Sequence, residues 1–331
     1  MYVPHLQLYN EGRVLRLLGY FLKALISVAW RRARGAGLRS DWSFSFETLV
    51  AAMRSYAAWL GTLAPATLRI AAARLTNKAA VVARAATLNG VNVTRSAPTR
   101  SKRVVVYLHG GGYVLGSPAQ DAALIGRLSI LAEAEVVAPD YRLAPEARCP
   151  CAIDDAIATY RALLSEGLRP DDVSIVGLSS GGGLALAATQ RMSEEGLPAP
   201  RSVVLLSPML DCTASRESWT RNAPFDWADR DVVVQWARAY AGDLPLTDSR
   251  LSPINGNLTS LPPVLVITGE LELGHDDAVA LIDKMKAVGS RAQLHVGRSM
   301  VHAFVTLNES TAEVGKALDV VRQFLSEATT A

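Results

Sequence analysis

The sequence predicts an α/β fold: a mostly parallel, doubly wound sheet flanked by helices, with a helical cap. Three observations predict it. From Val104 onward, short runs rich in β-branched residues alternate with Ala/Leu-rich stretches of helical length, the pattern of parallel strands joined by crossover helices. Each run is apolar almost throughout, as strands covered on both faces must be. Residues able to do chemistry follow directly after the runs, where the carboxyl ends of parallel strands gather.

Taken in order, residues 1–75 read as the N-terminal part of the cap, helical and spaced with Trp42, Phe44, Phe46, Tyr56 and Trp59. Within them Val14 to Trp30 is strongly apolar. Arg16 and Lys23 interrupt it, and it lacks the 18 or more clean apolar residues of a membrane span. Arg16, Gly19, Lys23 and Ser27 form one narrow polar stripe at helical spacing, so residues 14–30 predict an amphipathic helix packed on the protein's own body, with a membrane-surface contact as the alternative. The catalytic core is expected over 76–208 and 251–331. It begins with a hairpin, Val81 to Leu88 and Val91 to Arg95 around Asn89-Gly90, and continues through strands at Val104 to Leu108, Val136 to Ala138, Val173 to Val176, Val203 to Leu206, Val264 to Thr268 and Ala292 to Val296. Residues 209–250, with Trp219, Phe225, Trp227, Trp236 and Tyr240, interrupt the alternation and read as a second cap segment.

The 331 residues carry 34 basic and 31 acidic side chains, a formal charge of +3. That balance argues against nucleic acid and for a small-molecule partner. Cys149, Cys151 and Cys212 make neither a disulfide framework nor a zinc site, so a reducing, cytoplasmic setting is expected, and no metal or organic cofactor is called for.

Gly177 to Gly183, GLSSGGG, stands between an apolar run and a stretch beginning LALAATQRM. A strand-to-helix corner this tight forces its central residue into a sparsely populated conformation, and glycines on either side allow close backbone approach. The spacing Gly177, Ser179, Gly181 arises by accident in about one chain of this length in ten, so it needs company. It has company in His109-Gly110-Gly111-Gly112, directly after the strand ending at Leu108. Three glycines leave backbone N–H groups open to a developing oxyanion. Ser179 as nucleophile needs a base, and His302, a short loop after the last strand, is the histidine at the right edge. The carboxylate that would orient it lies in Gly269 to Asp277, where Glu270, Glu272, Asp276 and Asp277 all qualify; the order serine, acid, histidine does not choose among them.

These residues resemble the hormone-sensitive-lipase-like branch of the α/β-hydrolase fold, mostly bacterial esterases. The resemblance runs from about Val104 to the C-terminus. It rests on HGGG, on Asp140-Tyr141-Arg142-Leu143-Ala144-Pro145-Glu146, on the elbow, on Leu261-Pro262-Pro263 and on His302-Ala303-Phe304. It implies Ser179 as nucleophile, His302 as base and an oxyanion hole from the N–H groups of Gly111, Gly112 and Ser180. Its acid motif aligns Glu272 with the catalytic carboxylate, where the family has Asp, and leaves Asp276 as the rival. Leu178 and Ser180 depart from the family's usual elbow, while Asp140, Arg142 and Glu146 are structural in it. The expectation is a serine carboxylesterase for short to medium acyl esters, with a homodimer admitted by the resemblance. The alternatives are a membrane-associated lipase or lysophospholipase, and a hydrolase-fold receptor, which would lack the histidine. A neutral base predicts activity that falls as pH drops through roughly 6 to 7.

Overall fold

The computed structural model describes residues 5–63, 83–97, 101–308 and 311–327, with side chains from Gly19 onward. Residues 64–75 of the expected cap and the first two positions of the expected hairpin, Val81 and Val82, lie outside the described residues.

Among the described residues, eight strands form one sheet in the order β1-β2-β4-β3-β5-β6-β7-β8. They are β1 (Ala83–Leu88), β2 (Val91–Ser96), β3 (Val104–Leu108), β4 (Glu135–Pro139), β5 (Val173–Leu178), β6 (Ser202–Leu206), β7 (Val264–Gly269) and β8 (Ala292–Gly297). The first two pair antiparallel around Asn89-Gly90, both with positive φ (46° and 82°), as the type I′ hairpin turn demands. β2 pairs antiparallel with β4, and every later pairing is parallel.

The uniformly apolar runs are explained by two cores. In β3, Val104, Val106 and Leu108 join one core, while Val105 and Tyr107 join the other. The first core is closed by α4 (Cys151–Ser165), α5 (Ser180–Glu194) and α8 (His275–Ala287); the second by α3 (Ala122–Ala132) and α9 (Ala312–Glu327). Successive strand residues point to opposite faces, so both positions of the repeat must be apolar.

Two helical segments lie outside this alternation, α1 (His5–Ala33) with α2 (Phe44–Gly61), and α6 (Ser218–Arg221) with α7 (Arg230–Ala241). Ser43 caps α2 by accepting from Phe46 N, and Asp229 caps α7 by accepting from Asp231 N and Val232 N. The segments touch: a Cβ on Gly61 would come within 2.4 Å of Val232. Arg54 of α2 donates to the carbonyl of Asp226. Trp42, Val50, Leu271 and Val301 form a small apolar cluster with Phe225 and Trp227 at its edge, so both segments pack on the loops that follow β7 and β8.

Candidate active site

Parallel pairing brings the carboxyl ends of β3, β5, β6, β7 and β8 to one edge. At the end of β5, Ser179 has φ 55° and ψ −120°, a backbone state that an L-residue rarely adopts. It is held there by Ser179 N donating to Leu206 O (2.9 Å) and by Met209 N donating to Ser179 O (3.0 Å). The flanking glycines are required by space. A Cβ on Gly177 would lie 2.1 Å from Gly181 O, and one on Gly181 would lie 2.1 Å from Leu108 O. The corner thus fits only the GxSxG spacing, and it aims the Ser179 hydroxyl away from the sheet.

The structure brings Ser179, His302 and Glu272 together. His302 Nε2 lies 2.9 Å from Ser179 Oγ, and His302 Nδ1 lies 3.6 Å from Glu272 Oε2. The second separation is that of an ion pair and is longer than a hydrogen bond. Glu272 is buried, and its other oxygen, Oε1, accepts from Gly269 N (2.7 Å) and Ser207 Oγ (2.5 Å). Those two donors fix which oxygen faces the imidazole. The other acids of the loop point elsewhere. Asp276 accepts from Arg221 and from Ser218 N, Asp277 accepts from Trp219 Nε1, and Glu270 accepts from Ser299 N.

His302 is held by its backbone as firmly as by its ring. Its N–H donates to Asp226 Oδ1 (3.0 Å), its carbonyl accepts from Trp227 Nε1 (2.7 Å), and the indole lies 5.4 Å from the imidazole. Asp226 is fully buried. It also accepts from Trp227 N and, through Oδ2, from Leu273 N (2.8 Å), so one carboxylate joins the histidine loop to the acid loop. Asn222 donates to the carbonyls of Glu270 and Glu272 from the same segment. Burial works against the His302 cation, but Glu272 and then Asp226 outweigh it, and the pKa is raised above the ordinary 6.5. The neutral base is therefore lost at a higher pH than the unperturbed value implies.

The glycine loop completes the edge. Gly111 and Gly112 have φ of 125° and 62°, and a Cβ on Gly110 would touch Leu178 O and Ser179 Cβ at 3.3 Å, which places the loop against the elbow. The N–H groups of Gly111, Gly112 and Ser180 donate to no acceptor among the described residues. Trp236 of α7 covers this loop closely enough that a Cβ on Gly112 would meet its ring at 2.4 Å. Behind it, His109 stacks on Tyr141 with centroids 4.1 Å apart, and Tyr141 donates to His109 O (2.7 Å). Burial pushes His109 down to about 4, so it stays neutral and structural. Arg142 pairs with Asp155 of α4 at 2.7 Å, anchoring the Asp140 to Glu146 stretch as a brace for the glycine loop.

Sequence reasoning did not reach Ser207, Asn222, Asp226 or Trp227 in these roles. Ser207 follows the end of β6 directly and so carried the strand-end signal; the other three lie in the irregular 209–250 segment with no motif around them.

Residues 105–306 match a family described as having the alpha/beta hydrolase fold. The chain belongs to that family. Its hormone-sensitive-lipase-like branch is the one matched by structure: an esterase from the bacterial hormone-sensitive lipase family superposes with a TM-score of 0.74 at 30% identity, covering 94% of this chain and 98% of that one. An esterase/lipase from an uncultured bacterium gives a TM-score of 0.77 at 30% identity, covering 83% and 98%. Among sequences, an acetyl-hydrolase of Streptomyces hygroscopicus is 36% identical over 228 residues, 69% of this chain and 76% of that protein. An esterase of Acinetobacter venetianus is 31% identical over 230 residues, again 69% and 76%.

Proposed function

We propose that this α/β-hydrolase is a serine carboxylesterase that hydrolyses short to medium acyl esters through an acyl-enzyme. The observation that carries the reading is the 2.9 Å approach of His302 Nε2 to Ser179 Oγ at a corner that aims the hydroxyl outward. Ser179 Oγ attacks the ester carbonyl while Nε2 takes its proton. The negative oxygen that develops is received by the N–H groups of Gly111, Gly112 and Ser180. Glu272 holds the Nδ1–H tautomer and stabilises the imidazolium, and the 3.6 Å gap closes as that charge forms. The imidazolium protonates the departing alkoxide. Water then attacks the acyl-enzyme with the same base, releasing acid and free serine. Trp236 over Gly112 narrows the space beside the carbonyl, which favours small acyl groups, in keeping with relatives named acetyl-hydrolase and ethyl acetate hydrolase. A pure binding module of this fold would have lost the base, and here the imidazole faces the hydroxyl.

Ser179→Ala should lower p-nitrophenyl butyrate turnover at least about a thousandfold, and a fluorophosphonate should label the wild type once per chain. Retained turnover in the variant sinks the proposal. An acyl-length series from two to sixteen carbons tests the substrate class, with the optimum expected at the short end.

A further inference from the structure

The N-terminal helix supplies a surface that ester hydrolysis does not use. Among the described side chains of α1, from Gly19 onward, one side faces the protein: Ala24 and Val28 are buried, and Arg31 and Arg32 reach Glu47 of α2 at 3.1 and 2.6 Å. On the opposite side Leu22, Ile26 and Trp30 recur every four residues and are 56%, 61% and 57% exposed; Phe21 beside them is 49% exposed. At 100° per residue the first three fall on one stripe. Gly19, Lys23 and Ser27 run alongside it and line a shallow groove with it. The helix expected over residues 14–30 to pack on the protein's own body thus turns part of its apolar surface to solvent.

The charge left over beside this stripe is basic: among the described residues Arg31 and Arg32 pair with Glu47 and Arg39 pairs with Asp41, which leaves Lys23 and Arg34. Residues 12–40 contain seven of the chain's 34 basic residues, Arg13, Arg16, Lys23, Arg31, Arg32, Arg34 and Arg39, and none of its 31 acidic ones. The Arg34 guanidinium lies 3.6 Å over the Trp30 ring, a cation and an amphipathic aromatic placed together at one end of the exposed apolar row. Indole and guanidinium of this kind settle at a headgroup boundary, where the ring meets acyl chain and the cation meets phosphate. No helix among the described residues is long and apolar enough to cross a membrane, so α1 would lie along a surface.

We propose that the exposed face of α1 docks on an anionic lipid surface, with Leu22, Ile26 and Trp30 entering the acyl boundary and Lys23 and Arg34 at the headgroups. A second copy of the chain would cover the apolar row, but it would set Lys23 and Arg34 against the same two cations, which costs repulsion where a lipid phosphate gives attraction.

The test is flotation of the full chain with vesicles of phosphatidylcholine alone and of phosphatidylcholine with 30% phosphatidylglycerol. The wild type should float with the anionic vesicles at least tenfold better than with the neutral ones, and 0.5 M salt should reduce that preference. The triple variant L22S/I26S/W30S should lose association at least tenfold. K23Q/R34Q should lose the preference for anionic vesicles. Both variants should hydrolyse soluble p-nitrophenyl acetate as the wild type does, which separates this proposal from the catalytic one. Wild-type protein that stays at the bottom of the gradient overturns it. So does a triple variant that floats unchanged, or a wild-type dimer that becomes monomeric in the triple variant with no vesicle binding in either.

Discussion

Replacing Glu272 by Gln tests how the site selects its acid. The substitution keeps shape and removes charge, and the surroundings decide which way the amide sits. Oε1 accepts from two donors, Gly269 N and Ser207 Oγ, so the amide oxygen must take that place and the NH2 must face His302 Nδ1. An NH2 there donates to Nδ1 and drives the ring proton to Nε2, the atom facing Ser179 Oγ. That tautomer cannot accept the serine proton. Restoring the working one forfeits the charged hydrogen bond that forms as the 3.6 Å gap closes, about 1.5–3 kcal/mol, and sets donor against donor, about 1–3 kcal/mol more. Together these are worth about 4 kcal/mol, or roughly a thousandfold in rate at about 1.4 kcal/mol per factor of ten. Asp276→Asn is the comparison. Its carboxylate meets Arg221 and Ser218 N, away from the imidazole, so its kcat/KM should change less than about threefold, in line with an exposed ion pair. Both variants would be assayed on p-nitrophenyl butyrate at pH 8, with melting temperatures recorded to exclude misfolding. A Glu272→Gln enzyme within tenfold of wild type, or an Asp276→Asn enzyme a thousandfold down, would refute the assignment.

Other predictions share this logic. His302 has its pKa raised by Glu272 and Asp226, and only the neutral ring can act as base, so the acidic limb of kcat/KM should have its midpoint above pH 6.5; a midpoint at or below that value contradicts the geometry. In stability the sign reverses: the paired imidazolium contributes most below the unfolded value and the contribution is lost as pH rises through the folded one, so a Glu272→Gln melting curve should differ from wild type more at pH 6 than at pH 9. Asp226→Asn removes one of two carboxylates acting on the ring, with Arg54 donating to the same residue's backbone, and should move the acidic limb to lower pH while lowering the melting temperature; an unmoved limb would make Asp226 a purely structural clasp. Gly181→Ala sets a Cβ against Leu108 O and His109 O, both backbone, and should cost more than about 3 kcal/mol in urea unfolding or prevent folding.

The middle of the sheet was legible because β3, β5, β6 and β7 are buried on both faces, which writes a period-free apolar run into the sequence. Asn89-Gly90 was legible because few other pairs tolerate two positive φ values. Ser179 and His302 could be read from their places at strand ends. The choice among Glu270, Glu272, Asp276 and Asp277 could not, since all four share one loop and differ only in what folding sets opposite them: Ser207 and a backbone amide for one, Arg221 for another. Asp226 was harder still. Two of its three donors are 47 and 76 residues away in the chain, and nothing local marks an aspartate whose partners are backbone N–H groups. The upward shift of the histidine was not readable for the same reason, because the carboxylates that cause it are tertiary neighbours.

The fastening of Asp226 bears on how enzymes of this shape can be remodelled. The strip of chain that sets Trp236 over Gly112 also supplies the peg on which His302 hangs, so exchanging that strip between relatives exchanges the alignment of the imidazole with Ser179 as well. A chimaera built to broaden the range of esters must import the two loops it grips, or it will trade selectivity for a slack imidazole.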